Sequence, residues 1–176
     1  DRAHGRSGAG ECNRRARMDQ VPDLRDMSKD RRQLVEHLRA LFAERLDVLD
    51  AEISSTRSAF TSDTKSSAGD KHEVGRAMVQ QELDKLEEQR SKLIGHQQEI
   101  DRVPLDRNYE QVSFGCLVST DQGTYFIAIG LGAVEVGGST LYVISLASPM
   151  GQALKDRRPG DLLTFNGKAI KVLNIT

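Results

Sequence analysis

Apolar residues recur along the chain with two different periods, and the change between them divides it. From about Ser28 to Val103 there is no proline. Leu, Glu, Arg, Lys, Gln and Ala dominate this stretch, side chains that lose little freedom in a helix. Leu38, Phe42, Leu46, Leu49, Ile53 and Phe60 follow at gaps of three, four and seven, which places them on one helical face. Val79, Leu83, Leu86, Leu93 and Ile100 make a second stripe with heptad spacing, in which Arg90 and Gln97 take two seam positions. An isolated amphipathic helix gains little from propensity alone, so each stripe needs a partner. The segment 61–69, TSDTKSSAG, has turn chemistry and lies between them. An antiparallel hairpin over 27–103, with its tip at 61–73, satisfies both stripes. At 1.5 Å per residue, arms of about 30 residues reach roughly 45 Å.

Pro104 stops the helical pattern, and the composition turns to β-formers and glycine. Val112, Phe114, Cys116 and Val118 alternate with Ser113, Gly115 and Leu117, which predicts a strand. Asp121-Gln122-Gly123 is a turn, and a second strand follows over Thr124 to Ile129. Gly137-Gly138 is another turn, ahead of a strand over Leu141 to Ser145. Ser148 and Pro149 are a helix start, with Ser at the N-cap and Pro at the first helical position. Asp161 to Phe165 and Lys168 to Ile175 flank Asn166-Gly167, a strong hairpin signal. The expected fold class is α+β: an N-terminal helical hairpin, then a small antiparallel β domain with one short helix over 104–176. The first 26 residues are rich in Arg, Gly and Asp and show no period. They predict a disordered tail, or a start assigned too far upstream with Met18 or Met27 as the first residue.

Composition narrows the picture. Aromatics make up 5% and there is no Trp, which favours an elongated element beside a small domain over one large core. The net charge of -1 gives no bulk attraction to nucleic acid, and charges nearly balance across 27–103, as in a solvated hairpin. Two cysteines, Cys12 and Cys116, are too few for a four-ligand zinc site or a disulfide framework, and a reducing cytoplasm is the expected location. No apolar run approaches the roughly 18 residues of a membrane span. A self-paired hairpin predicts a monomer.

Few residues offer chemistry. Asp70 and Glu73 stand three apart at a helix start, close enough to share one divalent cation through oxygen ligands. The same spacing is a capping box, with Asp70 as N-cap and Glu73 reaching back, and both acids suit the positive end of the helix dipole. The two roles are compatible. His72 lies between them as a further ligand or proton carrier, or as a plain exposed histidine. Cys116 alternates with apolar neighbours and has no histidine nearby in the β region, so it reads as a core thiol. Gly130-Leu131-Gly132 lacks the rest of a phosphate loop, and Ser145 and Ser148 have no histidine for a triad. Lys155, Arg157 and Arg158 form a small basic cluster, either a solvated turn or a partner contact.

Two stretches resemble the Gre transcript-cleavage factor family. The first is Ser145-Leu-Ala-Ser-Pro-Met-Gly-Gln-Ala-Leu154, followed by Arg158-Pro-Gly-Asp161 and a closing hairpin, with Tyr125-Phe-Ile-Ala-Ile-Gly130 similar to the strand ahead of it. The second is Gly69-Asp70-x-x-Glu73, similar to the family's hairpin tip. The resemblance spans about Met27 to Thr176. It implies an FKBP-like C-terminal domain that binds bacterial RNA polymerase near its secondary channel, with Ser148, Pro149, Met150, Gly151, Gly160 and Asp161 as polymerase-binding residues. It implies a coiled coil that enters the channel and meets nascent RNA only indirectly. Asp70 and Glu73 would then help to hold Mg²⁺ shared with the polymerase active centre, and the chain would assist RNA cleavage without being an enzyme alone. After the tip the sequence departs from the family pattern, reading Val74-Gly75-Arg76-Ala77 where Asn-Ala-Glu-Tyr is usual.

That departure leaves a second expectation, a secondary-channel regulator that does not stimulate cleavage. A third is a peptidyl-prolyl isomerase-like module, whose site would be an aromatic-lined pocket drawn from Tyr109, Phe114, Tyr125, Phe126, Tyr142 and Phe165. A fourth is a coiled-coil interaction protein with no link to the polymerase.

Overall fold

The structure is a computed structural model that describes residues 24–63 and 70–176, with side chains over 31–61 and 74–176. Its fold class is α+β, two long helices followed by a six-stranded sheet and one short helix. The expected tail falls on residues outside the described ones, except that α1, Leu24–Asp63, begins three residues inside it. α2 is Asp70–Asp101. The segment read as a turn is helical as far as Asp63, and 64–69 lie outside the described residues.

The two helices are antiparallel, because contacts pair low numbers on one with high numbers on the other. Arg39 Nε donates to Asp101 at 2.7 Å, Arg90 Nε donates to Asp50 at 2.5 Å, and Arg57 pairs with Glu87. Arg90, which interrupts the apolar heptad, thus spans the seam to α1. Its guanidinium holds the Asp50 carboxyl below the usual carboxylate range. All three pairs are half exposed and screened by water, so they add little to stability and serve mainly to fix register. Between the pairs, Ile53 packs on Leu83 and Leu86 with Leu49 and Val79 alongside.

The strands are β1 Leu117–Thr120, β2 Gly123–Ile127, β3 Gly132–Val136, β4 Ser139–Ile144, β5 Leu162–Phe165 and β6 Lys168–Ile175. Their order in the sheet is β3-β4-β2-β1-β6-β5. The sheet is antiparallel as expected except at one pairing, where β2 and β4 run in parallel with Tyr125 opposite Tyr142. The chain leaves β2, forms β3 at the edge, and returns so that β4 fills the gap between them. Two of the three two-residue hairpin loops have positive φ at each residue, 58° and 80° at Gly137-Gly138 and 49° and 76° at Asn166-Gly167, as type I′ turns require.

The strand expected from Val112 begins only at Leu117. Gly115 has φ 88°, and its amide donates to the Ile127 carbonyl at 2.7 Å. A Cβ there would lie 2.6 Å from the Tyr109 hydroxyl. Val112 is instead held in a loop by bonds to 156 and 157, its amide to the Arg157 carbonyl at 2.8 Å and its carbonyl from the Asp156 amide at 3.0 Å.

Both faces of the sheet are covered at β1, which is why that strand is buried at every position. Leu117, Phe126, Val134 and Val143 face the base of the hairpin, where they join Leu34, Val35, Leu38, Phe42, Leu93 and Ile100 in one cluster. Cys116, Val118, Ile127, Ile170 and Val172 face the other way, toward Met150 and Leu154 of the short helix α3, Pro149–Leu154. Arg31, 3% exposed, fastens the connection between the halves: its Nη2 donates to the carbonyls of Leu105 at 2.5 Å and Arg107 at 3.0 Å. Its guanidinium lies 5.1 Å from the centre of the Tyr109 ring.

Candidate functional site

The base of the hairpin is fixed in the sheet, so the other end is free. Asp70 is the first residue of α2, and Glu73 lies in its first turn. About 35 Å of helix separates Asp70 from Leu93, where α2 meets the sheet, at 1.5 Å per residue. The side chains of Asp70, His72 and Glu73 lie outside the described residues, and so does the capping box assigned to them. Among the described residues no three of His, Cys, Asp and Glu gather into a metal site. Two carboxylates are by themselves an open donor set, which suits a cation whose other ligands come from elsewhere.

The residues just beyond the tip have a structural role. The Arg76 guanidinium sits 5.9 Å from the centre of the Phe60 ring on the opposite helix, so the chain closes its hairpin there with a cation on an aromatic face. Val74 and Met78, one turn apart, are exposed at 63% and 67%.

At the other end, the Ser-Pro-x-Gly segment is a folding device in all four of its residues. The Ser148 hydroxyl accepts from the Gly151 amide at 3.0 Å and donates to the Ser145 carbonyl at 2.7 Å. Pro149 opens α3, and Met150 is buried in the core beneath it. Gly151 passes so close to the Ser145 carbonyl that a Cβ has no room. Arg158 to Asp161 is a turn of type II pattern. Pro159 is second, Gly160 is third with φ 95°, and the Asp161 amide donates to the Arg158 carbonyl at 3.0 Å. The Asp161 carboxylate accepts from the Arg158 amide at 2.8 Å. Pro149 is the exposed member of the helix start, and Lys155, Arg157 and Arg158 are exposed beside it. The structure brings Ser148 to Gly151 together on α3, with Gly160 and Asp161 in the turn that leads into β5.

Cys116 is wholly buried, and burial pushes its thiol up to about 11. That fits the core thiol expected from the alternation. Two results are expected. In a Cys12→Ser variant at pH 8, alkylation of Cys116 should proceed only as fast as the protein unfolds. Because the folded value lies above the unfolded one, the thiol contributes to stability below pH 9, and this is lost as pH rises toward 11. The difference, roughly 2 kcal/mol, should be absent from Cys116→Ala, as urea titrations at pH 8 and pH 10.5 would show.

Of the six aromatics considered for a pocket, three line one groove. Tyr125 and Tyr142 stack with ring centres 5.6 Å apart, and Phe165 lines the same groove. Phe126 and Tyr109 are core, and Phe114 packs against the hairpin side. The groove also takes in Gln122, Asn166 and Lys168, which the sequence marks as turn and strand positions and not as site residues. The parallel pairing of β2 with β4 sets Tyr142 beside Tyr125, and the β5–β6 hairpin supplies Phe165, Asn166 and Lys168.

The described chain is thus a protein with a helical rod based on a two-faced sheet, and the rod's free end begins at an acid. No family model matches the chain, and no curated protein is similar to it. A solved structure of the transcription factor Gfh1 is 18% identical over 78% of this chain and 92% of its own length, with a TM-score of 0.32. No helix among the described residues is long and apolar enough to cross a membrane.

Proposed function

We propose that this chain is a Gre-like transcription elongation factor. In this reading it binds RNA polymerase at the secondary channel and stimulates cleavage of RNA in backtracked complexes. The observation that carries it is the start of α2 at Asp70, at the free end of a rod whose base is built into the β domain. Such a rod can deliver two acids to a centre inside a much larger enzyme while the β domain stays outside. The motif around Ser148 and Asp161 supports the reading, because it folds into one compact unit beside exposed basic residues.

In this mechanism Asp70 and Glu73 would help to hold a Mg²⁺ together with polymerase residues. Bound there, the ion would supply the charge that activates a water for attack on the RNA phosphate. The chain's own task is positional. The hairpin keeps its length because its ion pairs and apolar seam fix the register of α1 on α2.

The test is a backtracked elongation complex with Mg²⁺. The wild-type chain should shorten the RNA, and Asp70→Ala with Glu73→Ala should reduce the cleavage rate by at least about a hundredfold, the usual scale for losing a group that stabilises the transition state. Both proteins should co-purify with the polymerase. Binding without cleavage by the wild type would favour the second reading, a non-cleaving regulator, to which Val74-Gly75-Arg76 also points. Failure to bind the polymerase sinks both.

A further inference from the structure

The face of the sheet opposite the hairpin is only partly roofed. α3 has six residues and is roughly 9 Å long, so it covers the β1–β6 side and leaves the exposed sides of Tyr125 and Tyr142 open. The result is a groove of about 420 Å³, in the size range of small-molecule sites. Met150, Ile144 and Ile170 line it together with the Tyr125–Tyr142 stack and Phe165. Tyr142 remains 42% exposed, and among the described residues the ring stacked on it is Tyr125.

The lining restricts what can bind. β2 and β4 are interior strands whose ladder groups are taken on both sides. An extended peptide therefore finds no free strand edge over the Tyr pair, and recognition must rest on rings and side chains. Two carboxamides, Gln122 and Asn166, lie at the rim, groups that hydrogen-bond both donor and acceptor edges of a flat heterocycle. Lys168 is the one charged residue of the lining. The carboxylate of Asp121, next along the chain from Gln122, is engaged by the Lys171 amide at 3.0 Å. A flat ring with a polar edge and a short anionic tail fits these three features together.

We propose that this groove binds a nucleoside monophosphate. The base stacks on Tyr142 and faces Phe165, the carboxamides of Gln122 and Asn166 meet its edge, and Lys168 holds the phosphate. The proposal is independent of the polymerase reading, since the groove lies on the sheet and not at the rod's tip.

Calorimetric titration of the whole chain with AMP tests it, with adenosine and inorganic phosphate as fragments. AMP is expected to bind in the millimolar range or tighter, adenosine more weakly, and inorganic phosphate not at all. Tyr142→Ala should weaken AMP about tenfold, as loss of one stacked ring does. Lys168→Gln should bring AMP down to the adenosine level and leave adenosine unchanged. Both positions are exposed, and circular dichroism verifies that the variants fold. Three results would overturn the proposal: no heat with AMP, equal AMP binding by wild type and both variants, or stronger binding of a short acidic peptide carrying one phenylalanine or proline.

Discussion

Gly151→Ala is expected to lower the stability of the protein by about 3 kcal/mol, the upper part of the range for overpacking, because the atom it must displace is backbone. The Ser145 carbonyl oxygen that an added methyl would strike already accepts from the Ser148 hydroxyl and the Ser148 amide. Moving it breaks both bonds and pulls the Ser148 cap off the Gly151 amide. α3 has too few turns to survive on internal bonds, and Met150 and Leu154 would leave the core with it. The neighbouring Gln152→Ala changes an exposed position and should cost less than about 1 kcal/mol. Urea unfolding followed by far-ultraviolet circular dichroism separates the two, and equal midpoints would refute the steric account.

This site shows what could be read from the chain alone. Ser148 and Pro149 announced a helix start because capping and a fixed φ are local chemistry, and α3 begins where they stand. Asn166-Gly167 announced a hairpin for the same reason, since positive φ is a property of the residues. The two helical stripes were legible because burial along a rod repeats with the helix period. The strand start was misplaced because alternation at Val112, Phe114 and Cys116 mimics a strand, while Gly115 turns the backbone out of one. β3 went unseen since only Val134 of its five residues is buried. The parallel pairing of β2 with β4 leaves no local mark, and the groove that depends on it was invisible in consequence. Of the candidate site, the acids' place at the head of α2 followed from a loop-like segment between two stripes. The motif residues around α3 were found by resemblance, and their structural work by geometry.

Phe42→Ala should lower stability by about 3–5 kcal/mol. Its ring is wholly buried and belongs to the cluster that holds α1, α2 and the sheet together, and it approaches His96 of α2 at 6.2 Å between ring centres. A domain has about 5–15 kcal/mol in total, so the variant should be marginal at 37 °C. The contrast is Phe60→Ala, half buried near the free end, where only the Arg76 contact and partial burial are lost and about 1 kcal/mol is expected. The comparison decides a functional point as well. If one core joins rod and sheet, the helical signal and a tyrosine signal from the β domain should fall together in Phe42→Ala. Two separate transitions would mean that the rod is hinged on the sheet. A hinged rod cannot hold its tip at a fixed place on a partner bound through the β domain. The proposed delivery of Asp70 and Glu73 to a distant active centre therefore requires the single transition.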